Sequence, residues 1–406
     1  MKPKKRVVFL MSDTGGGHRA AADAIRAAME QRYPGQYAYQ LIDVYRRYTP
    51  FPFNFMPEIY PQWVNRSPLS WGLSLRFIDS RSRNRLVMAA INQMWKRGIR
   101  RMVDEHPADV LVSVHSLFNR PAMRALEATQ LQRPPFVTVV TDLVSTPAFW
   151  YEPRVERCLV PTQTAYDRGR HFGMQPQQMR ITGLPVHPQF VAGLLDKDAA
   201  RQKLGWDPHK TAVLLVGGGD GMGPVYGIAS EINRRRLDIQ LVIIAGRNRF
   251  LQRRLEAVRW HQPARIYPFV TNMPELMAAA DILVTKAGPA TICEACIAGL
   301  PIILSGAVPG QEDGNVTYVV ENGAGVFAPG AVRVADTLAA WLADGPDMLG
   351  ERAARARALG RPNAAWEIAE EIHVQAQRAP IRTRLGAGTK DSDPTLRPAP
   401  EEDWVI

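Results

Sequence analysis

The sequence predicts an α/β protein built from two doubly wound domains. Three observations carry the prediction. Short β-branched runs alternate with helical patterns along the chain, the order of elements that parallel sheets with crossover helices require. The runs fall into two series, separated by Gly183-Leu184-Pro185-Val186-His187-Pro188 and a short polar helix, as a linker between separately wound sheets would be. Most runs also end in a Gly, Asp, Ser or Thr loop, and sheets of this class bind ligands at their carboxyl edges.

In chain order, the first series reads as strands over 6–12, 37–45, 109–115, 136–142 and 157–161, with a helix over 19–31 after the first. The second reads as strands over 212–216, 240–245, 265–269, 282–285 and 301–304. The expected division is an N-terminal domain over 1–188, a linker over 189–210 and a C-terminal domain over 211–376. Residues 377–406 are rich in Arg, Pro, Gly and Asp without periodicity and read as a mobile tail.

Composition narrows the class. With 406 residues, 46% hydrophobic and 22% charged, the chain is globular rather than disordered or fibrous. Its apolar runs stay far below the ~18 residues of a membrane span. The run after Lys4-Lys5-Arg6 passes straight into Ser12-Asp13-Thr14 without a cleavage site, so it reads as a first strand and not a signal peptide. Three cysteines cannot form a disulfide framework, which suits a reducing, cytoplasmic compartment.

The formal net charge of +11 implies an anionic partner, and its placement is uneven. Residues 44–100 hold ten Lys/Arg against Glu58 and Asp79, together with ten of the 33 aromatic residues. Aromatic rings and basic side chains in one segment suit an anionic membrane surface; the same composition could serve nucleic acid. The membrane reading singles out Phe51, Phe53, Phe55, Trp63, Trp71, Arg81, Arg83 and Arg85.

Four loops carry candidate chemistry. The first, Ser12-Asp13-Thr14-Gly15-Gly16-Gly17-His18, joins a strand to a helix N-terminus. Its glycines allow close backbone approach, and it fits neither a dinucleotide fingerprint nor a P-loop, which leaves His18 as a candidate catalytic group or a structural helix-start histidine. The second, Gly217-Gly218-Gly219-Asp220-Gly221-Met222-Gly223-Pro224, offers a run of bare amides suited to a diphosphate. The third runs from Thr285 through Gly288-Pro289 to Thr291 and Glu294. Its helix start suits phosphate, and Glu294 suits a ribose diol, although a carboxylate there also compensates the helix dipole. The fourth, Pro309-Gly310-Gln311-Glu312-Asp313-Gly314-Asn315, clusters donors and acceptors suited to sugar hydroxyls, or forms a solvated turn. Cys293 and Cys296 make a lone C-x-x-C on an Ala-rich helix, without the second pair a zinc site needs.

Together these loops resemble the monogalactosyldiacylglycerol synthase family and its relatives, the processive diacylglycerol glucosyltransferases, over roughly residues 5–375. The resemblance rests on SDTGGGHRAAADAI, VTVVTDL, ITGLPVHPQF, GGGDGMGP, AGRN, TKAGPATICEA, PGQEDGN and YVVENGAG, in that order. It implies a GT-B architecture, two Rossmann-like domains facing across a cleft, with the last helix returning to the first domain. It also implies inverting transfer of a hexose, galactose favoured over glucose, from a UDP-sugar to the 3-hydroxyl of 1,2-diacylglycerol, with no metal and no other cofactor.

On the matching positions, His18 would be the general base, beside the acceptor loop Gly16-Gly17. Gly217, Gly218, Gly219, Gly288, Pro289 and Thr291 would hold the diphosphate and Glu294 the ribose. Gln311, Glu312 and Asn315 would meet the sugar, and Phe269, Val270 and Met273 the uracil. Relatives often carry a histidine shortly after the Thr-Asp pair, whereas Thr141-Asp142-Leu143-Val144-Ser145 has none; Asp142 remains a candidate to orient His18 or the acceptor. The family draws its lipid from a membrane, so the expected location is cytoplasmic, peripheral on the inner face of the plasma membrane, with no nucleic-acid partner. A UDP-sugar 2-epimerase is the alternative within the same fold.

Overall fold

The computed structural model describes residues 3–14, 16–79, 81–219, 221 and 223–383. Most of the predicted tail, residues 384–406, lies outside the described residues. The chain forms two compact units, one comprising Met1–His187 with Asn363–Ile406, the other Pro188–Pro362.

The first unit begins β1 (Lys5–Met11), α1 (Gly17–Arg32), β2 (Tyr37–Asp43), α2 (Val44–Tyr48), α3 (Met56–Arg66), α4 (Pro68–Ile78) and α5 (Arg81–Glu105). It continues β3 (Val110–Ser113), α6 (Asn119–Thr129), β4 (Gln132–Arg133), β5 (Phe136–Val139), β6 (Arg157–Val160), α7 (Gln163–His171) and β7 (Met179–Ile181). Six strands pair in the order β2-β1-β3-β5-β6-β7, all parallel. Alternation along β1 sends Val8 and Leu10 into one core with Trp95, Ile99 and Met102 of α5. Val7, Phe9 and Met11 face the other core, with Ala22, Ile25 and Met29 of α1.

The second unit holds α8 (Pro188–Ala192), α9 (Lys197–Leu204), β8 (Thr211–Val216), α10 (Val225–Arg235), β9 (Ile239–Ile244), α11 (Arg249–Glu256), β10 (Ala264–Tyr267) and α12 (Met273–Ala279). It ends with β11 (Ile282–Lys286), α13 (Pro289–Ala298), β12 (Ile302–Gly306), α14 (Asp313–Glu321), β13 (Gly325–Phe327), α15 (Ala331–Asp344) and α16 (Pro346–Leu359). Its parallel sheet runs β10-β9-β8-β11-β12-β13. The chain then returns to the first unit through α17 (Ala364–Ala376) and β14 (Ile381–Arg382), which pairs antiparallel with β4.

Physical causes for the return are visible in α17. Ile368 and Ile372 are fully buried in the β1 core. Glu371 takes the guanidinium of Arg157 at 2.8 Å and that of Arg180 at 2.9 Å, and His373 stacks on Tyr33 with ring centroids 3.9 Å apart.

Two expectations need correction. Residues 189–210, expected as a linker carrying a short polar helix, are part of the second unit: they lie in α8, α9 and the turns around them, and buried Arg201 donates to the Ala279 carbonyl at 3.0 Å and pairs with Asp281. The strand expected over 37–45 stops at Asp43, whose carboxylate accepts from the Arg46 amide at 3.2 Å and so caps α2.

Candidate functional site

In each sheet, chain order reverses beside the first strand, between β1 and β3 in one and between β8 and β11 in the other. Such switch points open a crevice at the strands' carboxyl ends. The first three candidate loops leave the sheets there, after β1, β8 and β11, and the fourth follows β12, the next strand along.

In the first unit, Gly16 precedes α1 with φ 76°, a left-handed conformation that favours glycine. Side chains added at Gly16 or Gly17 would meet nothing within 4 Å, so this backbone is open to a ligand. His18 follows on the first helical turn. Its Nδ1 lies 2.8 Å from the Val114 carbonyl oxygen and 3.0 Å from Thr141 Oγ1. A carbonyl only accepts, so Nδ1 carries the proton and Nε2 holds the lone pair. Burial pushes the His18 imidazole down to about 4, against the opposing pull of the Val114 hydrogen bond. His18 is therefore neutral at pH 7.

Under His18 lies a residue the sequence reading passed over. The His115 ring sits 4.5 Å from the His18 ring, stacks on Phe118 at 4.3 Å and takes the edge of Tyr45 at 5.3 Å. Its Nδ1 accepts from the Leu117 amide at 3.3 Å, and burial, with His18 adding to it, holds it well below the usual histidine range. Asp142 Oδ2 accepts from the Trp150 indole at 2.7 Å, and it is the neighbouring Thr141 that meets His18 Nδ1. Asp13 forms a two-pronged ion pair with Arg19, at 2.5 and 2.8 Å, which lowers its pKa. Burial raises that of the adjacent Asp43.

The basic-aromatic segment divides into surface and core. Phe51 is 80% exposed, Leu86 71%, Leu69 70% and Leu73 66%, and Phe55, Trp63 and Phe77 are also exposed. Arg83 covers Phe77 at 4.8 Å, and Arg85 is exposed. Phe53 departs from expectation, packing edge-on against buried Trp95 at 5.3 Å. Trp71 is partly covered by Trp63 and Tyr60. The side chain of Arg81 lies outside the described residues.

In the second unit, Gly217, Gly218 and Gly219 leave β8, with φ 75° at Gly218. Gly288 caps α13 and Pro289 opens it, an N-terminus suited to an anion. Thr291 and Glu294 follow, both half-buried. Among the described residues no hydrogen-bond partner reaches Glu294, and burial raises its carboxyl to about 7. Phe269 is 46% exposed after β10, with half-buried Val270 and Met273 close behind it in the chain.

Glu312 and Asn315 are both buried and tie neighbouring segments together. Glu312 Oε1 pairs with Lys286 Nζ at 2.5 Å and Oε2 accepts from the Val308 amide at 2.9 Å, while Asn315 Nδ2 donates to the Ala287 carbonyl at 2.9 Å. Gln311 stays half-buried on the same loop. Cys296 is buried and Cys293 half-buried, and among the described residues no three His, Cys, Asp or Glu side chains gather as a metal site.

Two doubly wound units, one carrying a neutral histidine at its switch point and the other glycine loops with a half-buried carboxyl, define a nucleotide-sugar enzyme of the GT-B class. Comparison with known proteins narrows this. A family model for monogalactosyldiacylglycerol synthase matches residues 18–186, and one for the glycosyltransferase family 28 C-terminal domain matches 213–368. Monogalactosyldiacylglycerol synthase 2 of Arabidopsis thaliana is 39% identical over 93% of this chain and 82% of its own. The synthase of Spinacia oleracea is 38% identical over 91% and 72%. The chain belongs to the monogalactosyldiacylglycerol synthase family.

Solved structures agree on fold alone. Acinetobacter baumannii MurG superposes with a TM-score of 0.60 at 14% identity, covering 92% of this chain and all of that one. The calicheamicin glycosyltransferase CalG4 gives 0.59 at 13%, covering 93% and all of that chain. A UDP-GlcNAc 2-epimerase from Neisseria meningitidis gives 0.56 at 12%, covering 91% and all of that chain, so the fold does not separate transferase from epimerase; family membership does.

The expected location on the inner face of the plasma membrane is overturned, because both plant relatives are chloroplastic proteins. Among the described residues, no helix is long and apolar enough to cross a membrane.

Proposed function

We propose that this chain transfers galactose from UDP-galactose to the 3-hydroxyl of 1,2-diacylglycerol with inversion, giving a β-galactosyl lipid. The observation that carries the chemistry is the hydrogen bond from His18 Nδ1 to the Val114 carbonyl, which leaves Nε2 as a base. The acceptor oxygen attacks the anomeric carbon as its proton passes to Nε2. The bond from that carbon to the β-phosphate oxygen breaks, and UDP departs with the electron pair.

Negative charge grows on the leaving diphosphate. The amides of Gly217, Gly218 and Gly219, with the α13 N-terminus at Gly288 and Pro289 and the Thr291 hydroxyl, stabilise it without a metal. Glu294, with a carboxyl near 7, can both accept from and donate to the ribose diol. Phe269, Val270 and Met273 receive the uracil, and Gln311 the sugar.

Diacylglycerol lives in a bilayer, and the exposed face of α3, α4 and α5 serves to reach it. Phe51, Phe55, Trp63 and Leu73 enter the interface while Arg83 and Arg85 attract anionic headgroups. Nucleic acid is not a partner in this reading.

The test is label transfer from UDP-galactose and UDP-glucose, in parallel, to diacylglycerol in anionic vesicles with EDTA present. Lipid-soluble label chiefly from UDP-galactose supports the reading. Label only without EDTA would remove the metal-free part, and UDP-sugar conversion without acceptor would replace the reaction by epimerisation.

A further inference from the structure

The loop after β9 carries an arginine that none of the four glycine-rich loops contains. Arg247 donates its backbone N–H to the Gly219 carbonyl at 2.9 Å, which ties its loop to the bare amides proposed for the diphosphate. Gly246, at φ 62°, makes the tie possible, since a Cβ there would stand 2.4 Å from the Gly219 oxygen. At Gly219 itself, an added Cβ would lie 3.3 Å from Arg247 Nη1 and 3.8 Å from Phe269 Cε2. The missing side chain thus leaves a guanidinium directly over the glycine loop. That guanidinium lies across the Phe269 ring, 4.2 Å from its centroid, and both side chains are exposed.

We propose that Arg247 is the side chain that neutralises the donor diphosphate, reaching it from a resting position over the Phe269 ring. The inference rests on the donor-site reading above and adds to it the charge that the backbone amides lack.

The chemistry of the neighbours favours Arg247 for this role. An exposed cation over a ring gains little, whereas a guanidinium meeting phosphate oxygens makes two parallel charge-assisted hydrogen bonds, so an arriving diphosphate draws Arg247 off the ring. Withdrawal of Arg247 also frees a face of Phe269 for the uracil, so phosphate and base recognition are linked through one side chain.

The experiment is calorimetric titration of UDP, UMP and uridine into the full chain, comparing the unsubstituted protein with Arg247→Lys and Arg247→Ala. The exposed position of Arg247 makes both substitutions compatible with folding, which far-UV circular dichroism and a melting curve check. Arg247→Ala should weaken UDP about 10–100-fold while uridine changes by less than about threefold. Arg247→Lys should fall between, because an ammonium keeps the charge but not the planar fork. Raising salt should weaken UDP binding less in Arg247→Ala than in the unsubstituted protein. Unchanged UDP affinity in Arg247→Ala, or an equal loss for UDP and uridine, would overturn the inference alone. Failure of the unsubstituted protein to bind UDP would overturn the donor site and the inference together.

Discussion

His18 donates from Nδ1 to the Val114 carbonyl oxygen at 2.8 Å, so a main-chain group at the end of β3 sets the tautomer of a side chain on α1. A main-chain carbonyl cannot be protonated or replaced by substitution. The base is held by the sheet itself, with the Thr141 hydroxyl as a second contact at 3.0 Å.

Thr141→Val tests that second contact. It keeps the shape and removes two hydrogen bonds, the hydroxyl's contact with His18 Nδ1 and its bond to the Val114 carbonyl oxygen; the contact that holds His18 is worth about 1 kcal/mol, so kcat should fall about fivefold with little change in the KM for UDP-galactose. Steady-state kinetics check this.

The pH dependence follows from the lowered imidazole. His18 sits at about 4 in the folded chain, against 6.5 for a free histidine. Between those values the unfolded chain binds more protons than the folded one, so stability falls as pH drops from about 6.5 towards 4. His115, also lowered by burial, acts in the same direction. Melting curves should therefore decline more steeply over that window in the unsubstituted protein than in His115→Phe, which retains a ring and cannot titrate.

Glu371 joins α17 to two arginines of the sheet. Glu371→Ala leaves Arg157 and Arg180 without that carboxylate, and since both are partly solvated a loss of about 2 kcal/mol is expected. Urea unfolding should show a lower midpoint.

Surface residues of the basic-aromatic segment should matter to vesicles and not to the fold. Phe51→Ser with Leu73→Ser, at 80% and 66% exposure, should reduce partition onto anionic vesicles at least about fivefold, with UDP affinity unaltered. Arg83→Ala with Arg85→Ala should reduce it in a salt-dependent way, at about 1 kcal/mol per charge. Vesicle co-sedimentation distinguishes the two.

Much of this was legible in the sequence. The β-branched runs are buried on both faces of parallel sheets, so they stand out as continuous apolar segments, and the glycine loops that follow them mark the carboxyl edges. What escaped depends on side-chain direction and on contacts remote in sequence. Thr141 and Asp142 are neighbours, and neighbours on an extended segment point to opposite sides, so the pair alone does not tell which one meets His18. His115 reads as the end of a strand until the fold lays it under His18. Glu312 and Asn315 read as polar residues of one loop, and their bonds to Lys286 and the Ala287 carbonyl, both more than 25 residues away, become visible only in the fold. Arg247 became a candidate only when its loop closed on Gly219.

The most direct test of the central claim compares the unsubstituted chain with His18→Ala for label transfer from UDP-galactose to vesicle diacylglycerol, with UDP affinity measured on both. Removing a general base should cost about 10²–10⁴-fold in transfer. UDP should bind both proteins alike, because the glycine loops belong to the other unit. Transfer retained within a few-fold in His18→Ala would contradict the assignment of His18 as the base.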